Sequence, residues 1–114
     1  MRKIEGEQVL MRIFIGESDT AHGKPLYLVL TELFKEKGLA GATVLRGITG
    51  YGARSHIHST HLLRLSQDLP VVVEVVDSQL HLDAVLPQIE SLMGDGLITM
   101  EKVRVLRYGP VSEI

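Results

Sequence analysis

Alternation is the strongest signal along the chain. From Val9 to Gly16, Val9, Met11, Ile13 and Ile15 fall on one side and Leu10, Arg12 and Phe14 on the other, the period of a β-strand. Gly16-Glu17-Ser18-Asp19 breaks that pattern, and after Gly23-Lys24-Pro25 the period changes. Leu26, Val29, Leu30, Leu33 and Phe34 recur at helical spacing, with proline near the first position, where its missing N–H is harmless, and Gly38 as a stop. A helix over 25–37 is predicted. A second strand is predicted over 42–46, leading into a glycine-rich segment. Thr60 to Leu65 reads equally as a strand or a helical turn. Val71 to Val76 holds five valines in six residues and is the clearest strand of all. Asp77 or Ser78 can cap a second helix that carries Leu82, Val85, Leu86, Ile89 and Met93 on one face and ends at Gly94. Pro87 inside it predicts a kink or a broken first half. Leu97 to Leu106 closes the chain as a last strand, open to an interruption near Glu101 and Lys102.

The resulting order, β-α-β-β-α-β, is the split βαβ or ferredoxin-like arrangement. This α+β fold has a four-stranded antiparallel sheet with both helices on one face. The length of 114 residues fits a single domain over 1–114, with its core over 8–108 and short irregular ends. Helices on one face leave Leu10, Phe14, Val72 and Val76 on the other. Each large apolar side chain left in water forfeits roughly 1.5–3 kcal/mol that burial would supply. The chain has no residues for a third layer, so the pattern predicts self-association through the open face in a closed ring.

Composition narrows the function classes. Hydrophobic residues make up 45% and charged residues 23% of the sequence, which predicts an ordered globular chain. No apolar run approaches the roughly 20 residues that span a bilayer, and Met1 to Glu7 lacks the apolar core of a signal peptide. A cytoplasmic chain with no membrane insertion is expected. The absence of cysteine excludes disulfides, thiolate nucleophiles and thiolate metal sites. A net charge of −2 argues against nucleic acid as a partner.

Candidate chemistry concentrates in Arg46-Gly47-Ile48-Thr49-Gly50-Tyr51-Gly52-Ala53-Arg54-Ser55-His56. Glycines beside strands imply a positive φ, a bulge, or something close to the backbone. Amide N–H groups next to Arg46 and Arg54 suit an anion such as phosphate, although the spacing is neither a Walker loop nor a dinucleotide fingerprint. The alternative is an ordinary loop. Tyr51 can stack on a base or a partner protein, or simply cover a subunit edge. Lys24, ahead of the first helix, suits either an anion or solvent. His56, His58 and His61 offer a metal site for zinc, nickel or copper, or protonatable charge beside a phosphate.

Several stretches together resemble the PII-like signalling proteins, and within them the uncharacterised family called domain of unknown function 190. They are Gly16-Glu17-Ser18-Asp19, Gly23-Lys24-Pro25-Leu26-Tyr27, Ala40-Gly41-Ala42-Thr43-Val44-Leu45-Arg46-Gly47, Gly50-Tyr51-Gly52 and Leu65-Ser66-Gln67-Asp68-Leu69-Pro70-Val71-Val72. The resemblance spans Leu10 to Tyr108. It implies a PII-like homotrimer with adenine nucleotides, ADP, ATP or AMP, in the clefts between neighbours, with or without magnesium and with no redox cofactor. The phosphates would meet the loop after strand two, here Arg46, Gly47, Gly50, Tyr51, Gly52 and Arg54, and the turn Gly94-Asp95-Gly96. Lys102, Arg104 and Arg107 of the last strand are further phosphate candidates. Leu97 stands where PII proteins carry a lysine.

The expected function is a nucleotide-binding regulator that signals to a target protein, such as a transporter or an enzyme, through the 47–60 loop. The alternative is a histidine-based metal-binding or metal-sensing oligomer, and a third reading is an interaction subunit with no small ligand. Catalysis is not expected. Nothing pairs a nucleophile with a base, and acylphosphatases, which share the fold, place their glycine-rich loop after strand one. An RNA-recognition role would need stacking aromatics within Val71 to Val76, which has none.

Overall fold

The computed structural model describes residues 2–52, 58–59 and 68–109, the pair 58–59 by its backbone alone. At its centre β1 (Gly6–Gly16) pairs antiparallel with β7 (Pro70–Asp77) on one side and β8 (Leu97–Val105) on the other. A short β4 (Thr43–Arg46) adds to the far side of β7, giving the order β4-β7-β1-β8. With α1 (Leu26–Glu36) after β1 and α2 (Gln79–Leu92) after β7, this is the ferredoxin-like α+β fold.

Alternation did its work in the sheet. Val9, Met11, Ile13 and Ile15 of β1 and Val71, Val73 and Val75 of β7 are buried. They meet Leu26, Leu30, Leu33 and Phe34 of α1 and Leu82, Val85 and Ile89 of α2 in one core. The strand signal began at Val9, yet β1 begins at Gly6: polar Gly6, Glu7 and Gln8 pair with Val105, Arg104 and Val103 through backbone bonds that a hydrophobic pattern does not record. α1 falls one residue inside its predicted limits at each end. Pro25 is its N-cap, and the Leu26 amide donates to the Asp19 carbonyl at 2.8 Å.

Two interruptions that the pattern allowed do not occur. α2 is one continuous helix through Pro87, with no broken first half. Pro87 and Asp83, one turn earlier, are both exposed, so water can satisfy the carbonyl that proline leaves without a donor. β8 likewise runs without a break, and Glu101 and Lys102 stay in register opposite Leu10 and Val9. The choice of cap is resolved for Ser78, whose Oγ accepts from the His81 amide at 3.2 Å. Thr60 to Leu65 lies outside the described residues.

Two small ribbons had no sequence signal. β2 (Thr20–Ala21) and β3 (Lys24–Pro25) form a hairpin around His22 and Gly23, which adopt φ values of 54° and 77°. A two-residue turn with both φ positive matches the right-handed twist of its strands. β5 (Thr49–Gly50) pairs with β6 (His58–Ser59), so a ribbon rises from the base of the glycine-rich segment. Among the described residues no helix is long and apolar enough to cross a membrane.

Candidate functional site

The helix-free face of the sheet carries two apolar bands split by a row of charge. Residues paired directly across an antiparallel ladder share a face, which sets Leu10 beside Val76, and Phe14 beside Val72, Leu45 and Leu97. Leu45 is 50% and Leu97 55% exposed. Between the bands, Arg12 Nε donates to Glu74 at 2.9 Å and its Nη1 to Glu101 at 2.5 Å, joining three strands. Bonds to Glu74 and then Glu101 raise the Arg12 pKa above its ordinary value, so this guanidinium stays charged. The row holds two carboxylates against one cation.

One end of the sheet gathers the glycine turns. The Gly47 amide donates to the Pro70 carbonyl at 2.7 Å, and a Cβ on Gly47 would stand 2.9 Å from the proline ring. Pro70 in turn pairs with Gly16. The loop after β1 is stitched to the start of β7: the Glu17 amide donates to the Leu69 carbonyl at 2.8 Å, and the Ser18 hydroxyl to Asp68 at 2.9 Å. Arg46 pairs with Glu17 at 3.0 Å. At the opposite edge of this same end, Gly96 leads into β8 with φ 155°, and any Cβ there would lie 2.9 Å from the Phe14 carbonyl oxygen.

The other end of the sheet is tied by the two chain ends. Asp77 continues the buried phase of β7 and is fully buried. Its carboxylate accepts from Arg2 at 2.5 and 2.9 Å, from the Ala40 amide at 2.9 Å and from the Ser78 amide at 2.7 Å. Burial pushes the Asp77 pKa up, but Arg2 and the two amides outweigh it and hold the carboxyl below the usual aspartate range. Arg2 also donates to the Gly38 carbonyl at 2.9 Å. From the far edge, the Tyr108 hydroxyl reaches the Ala40 carbonyl at 2.5 Å. These ties surround a cavity of about 350 Å³ whose lining includes Leu10, Ala40, Glu74, Val76, Arg107 and Tyr108. It is predominantly apolar, with one guanidinium contributed by Arg107.

The expected site residues divide between these places. Arg46, Gly47, Gly50, Tyr51 and Gly52 lie at the glycine end by β4, and Gly94, Asp95 and Gly96 at the same end by β8. Three strand spacings separate the two groups, about 14 Å. Tyr51 is 71% exposed. Lys102 and Arg104 are opposite Val9 and Glu7, on the helix side of an edge strand and roughly 17–23 Å along it from Leu97. Lys102 lies 3.9 Å from Glu7. Arg107 alone of the three basic candidates lines the cavity. Arg54, His56 and His61 lie outside the described residues, and only the backbone of His58 is described, in β6. Lys24 pairs with Glu32 at 3.5 Å. Among the described residues no group of three or more metal-ligating side chains occurs.

Comparison with known proteins places this geometry. The family model DUF190, described as Uncharacterized ACR, matches residues 8–105. The chain belongs to the DUF190 family. A UPF0166 protein of Aquifex aeolicus (strain VF5) is 44% identical over 97 residues, covering 85% of this chain and 91% of that protein. Another, of Methanocaldococcus jannaschii, is 34% identical over 99 residues, 86% of this chain and 91% of that protein. Among solved structures, a protein of Thermus thermophilus classed as PII-like signaling superposes with TM-score 0.64 at 17% identity, over 91% of this chain and 94% of that one. The nitrogen regulatory PII-like protein CPII of Thiomonas intermedia K12, bound to ADP, AMP and bicarbonate, superposes with TM-score 0.60 at 16% identity, over 89% and 90%. The DUF190 chain thus has a PII-like fold.

Several stretches that carry the family resemblance turn out to bind one another. Glu17 and Ser18 lock onto Leu69 and Asp68, and Gly47 packs under Pro70. What comes close to Gly47 and Gly50 is the chain's own proline. Sequence reading missed Arg2 and Tyr108, and took Asp77 only as a candidate helix cap. Asp77 did leave a trace, because it falls on the buried phase set by Val71, Val73 and Val75, where a carboxylate requires a partner.

Proposed function

We propose that this DUF190 chain is a non-catalytic, PII-like cytoplasmic regulator that binds an adenine nucleotide, ADP, ATP or AMP, in clefts between the subunits of a homotrimer. The observation that carries the reading is the cavity beside Leu10 and Val76: it opens on the sheet face that the helices leave uncovered. A base and sugar suit its apolar floor, and Arg107 at its wall suits phosphate. In one chain the glycine turns stand at the far end of the sheet from this cavity. A neighbouring copy packed on the open face brings a second set of basic and glycine residues to it. Nucleotide-bound CPII, which shares the fold, supports the ligand class.

Signalling would follow from the 47–60 segment. Phosphate orders it through amide N–H groups and arginine, and the ordered segment docks on, or leaves, a target protein such as a transporter or an enzyme. The nucleotide must bind one state of this segment more tightly than the other, since equal affinity shifts nothing. Calorimetry with ADP, ATP and AMP at millimolar concentrations, with and without magnesium, tests the proposal. Binding near one nucleotide per subunit is expected, and no heat and no thermal shift with any of the three would end it.

A further inference from the structure

We infer that the tail segment 106–108 is the movable wall of the cavity, and that Tyr108 retains the ligand there. The inference rests on the nucleotide reading above and deepens it. The two walls of the cavity are held very differently. On one side, Ala40 and Gly41 follow a turn anchored by charge: the Ala40 amide on buried Asp77, and the Gly38 carbonyl on Arg2. On the other side, the tail leaves β8 at Val105, opposite Gly6, and crosses the end of the sheet. Leu106 is 77% and Tyr108 42% exposed, and among the described residues the hydrogen bond that fastens the tail to the facing wall is Tyr108 to Ala40. A charged, buried jamb faces a strap held by a neutral, half-open latch.

The strap also carries the chemistry a nucleotide needs. Arg107 and Tyr108 line the cavity as neighbours, bringing a phosphate partner and an aromatic ring to one wall. Aromatic rings stack on any base, and a guanidinium binds phosphate in bidentate fashion. The cavity, about 350 Å³ with the latch closed, is at the small end of ligand pockets. A bound nucleotide therefore lies against the strap, and with the open sheet face covered by a neighbouring copy, opening of the Tyr108 bond frees the wall that holds it. Opening the latch controls release more than capture, because orientation and diffusion dominate the association step.

Stopped-flow displacement of fluorescently labelled ADP from the full chain tests this, comparing the wild type with Tyr108→Phe and Tyr108→Ala. Loss of one hydrogen bond raises the dissociation rate roughly two- to ten-fold in Tyr108→Phe, with association within about twofold. Tyr108→Ala, which also loses the ring, dissociates faster still. Melting temperatures of the ligand-free variants stay close to the wild type, which separates retention from a structural role. Hydrogen exchange in 104–109 slows on adding ADP to the wild type and much less in Tyr108→Phe. Unchanged dissociation in both variants, with the wild type binding labelled ADP, would overturn the latch while leaving the nucleotide reading in place. A wild type that binds no labelled ADP would overturn both.

Discussion

The two ends of the sheet reverse what their sequences advertise. The glycine end has the conspicuous composition, yet much of its glycine serves the chain itself: Gly47 and Gly50 make room for Pro70, and Gly96 for the backbone of Phe14. The terminal end has no conspicuous composition, yet it holds a cavity, a buried carboxylate and a charge clamp assembled from segments up to 75 residues apart. Glycine reports close approach without saying what approaches. A charged residue in a buried register says that a partner must exist, and here the partner is the N-terminal arm.

The largest effect that sharpens this contrast is expected from Asp77→Ala, which strips Arg2 and two amides of their acceptor. It should cost about 3 kcal/mol, lowering the melting temperature by about 10 °C or more. Arg2→Ala should cost less, about 1–3 kcal/mol, since the Ala40 and Ser78 amides still hold the carboxylate. The pH dependence has a definite sign. The folded-state pKa of Asp77 lies below its unfolded value near 3.9, so the pair stabilises fully above about pH 5 and its contribution fades as pH falls through the folded value. Denaturant melts from pH 7 to pH 3 should show wild type and Arg2→Ala converging at the acid end. A constant gap would deny the clamp its charge.

Next in size is the glycine pair Gly47→Val and Gly52→Val. The first drives a side chain into Pro70 and should cost about 1–3 kcal/mol. The second, at an exposed position, should leave stability within about 0.5 kcal/mol and assembly intact while weakening ADP binding. Equal loss of stability in both would erase the distinction between a packing glycine and a ligand glycine, and unaltered affinity in Gly52→Val would move the phosphates elsewhere. The smallest effect is expected from Arg12→Gln. It leaves Glu74 and Glu101 as unneutralised like charges on the open face, so subunit association should weaken, and part of it should return in high salt. Sedimentation across salt concentration reads this directly.

The pattern of residues fixed most of the fold because its strands bury one face and its helices one stripe, and each period was long enough to read. The polar start of β1 and the His22-Gly23 hairpin escaped because backbone pairing and positive φ leave no hydrophobic trace. The candidate site was less legible. Arg46 and the glycines could be named from local spacing, but their use could not, since Glu17 and Pro70 come from other parts of the chain. Lys102 and Arg104 looked like neighbours of Arg107, and the strand's alternation sets them on the helix side while the tail carries Arg107 to the cavity.

The nucleotide reading turns on whether the cavity is completed by a neighbouring copy. Sedimentation velocity of the full chain with fluorescently labelled ADP, followed at the label's own wavelength from nanomolar to micromolar protein, tests that directly. The account predicts that label travels with a trimer and leaves the boundary as the trimer dissociates. Label travelling with a single subunit would contradict it.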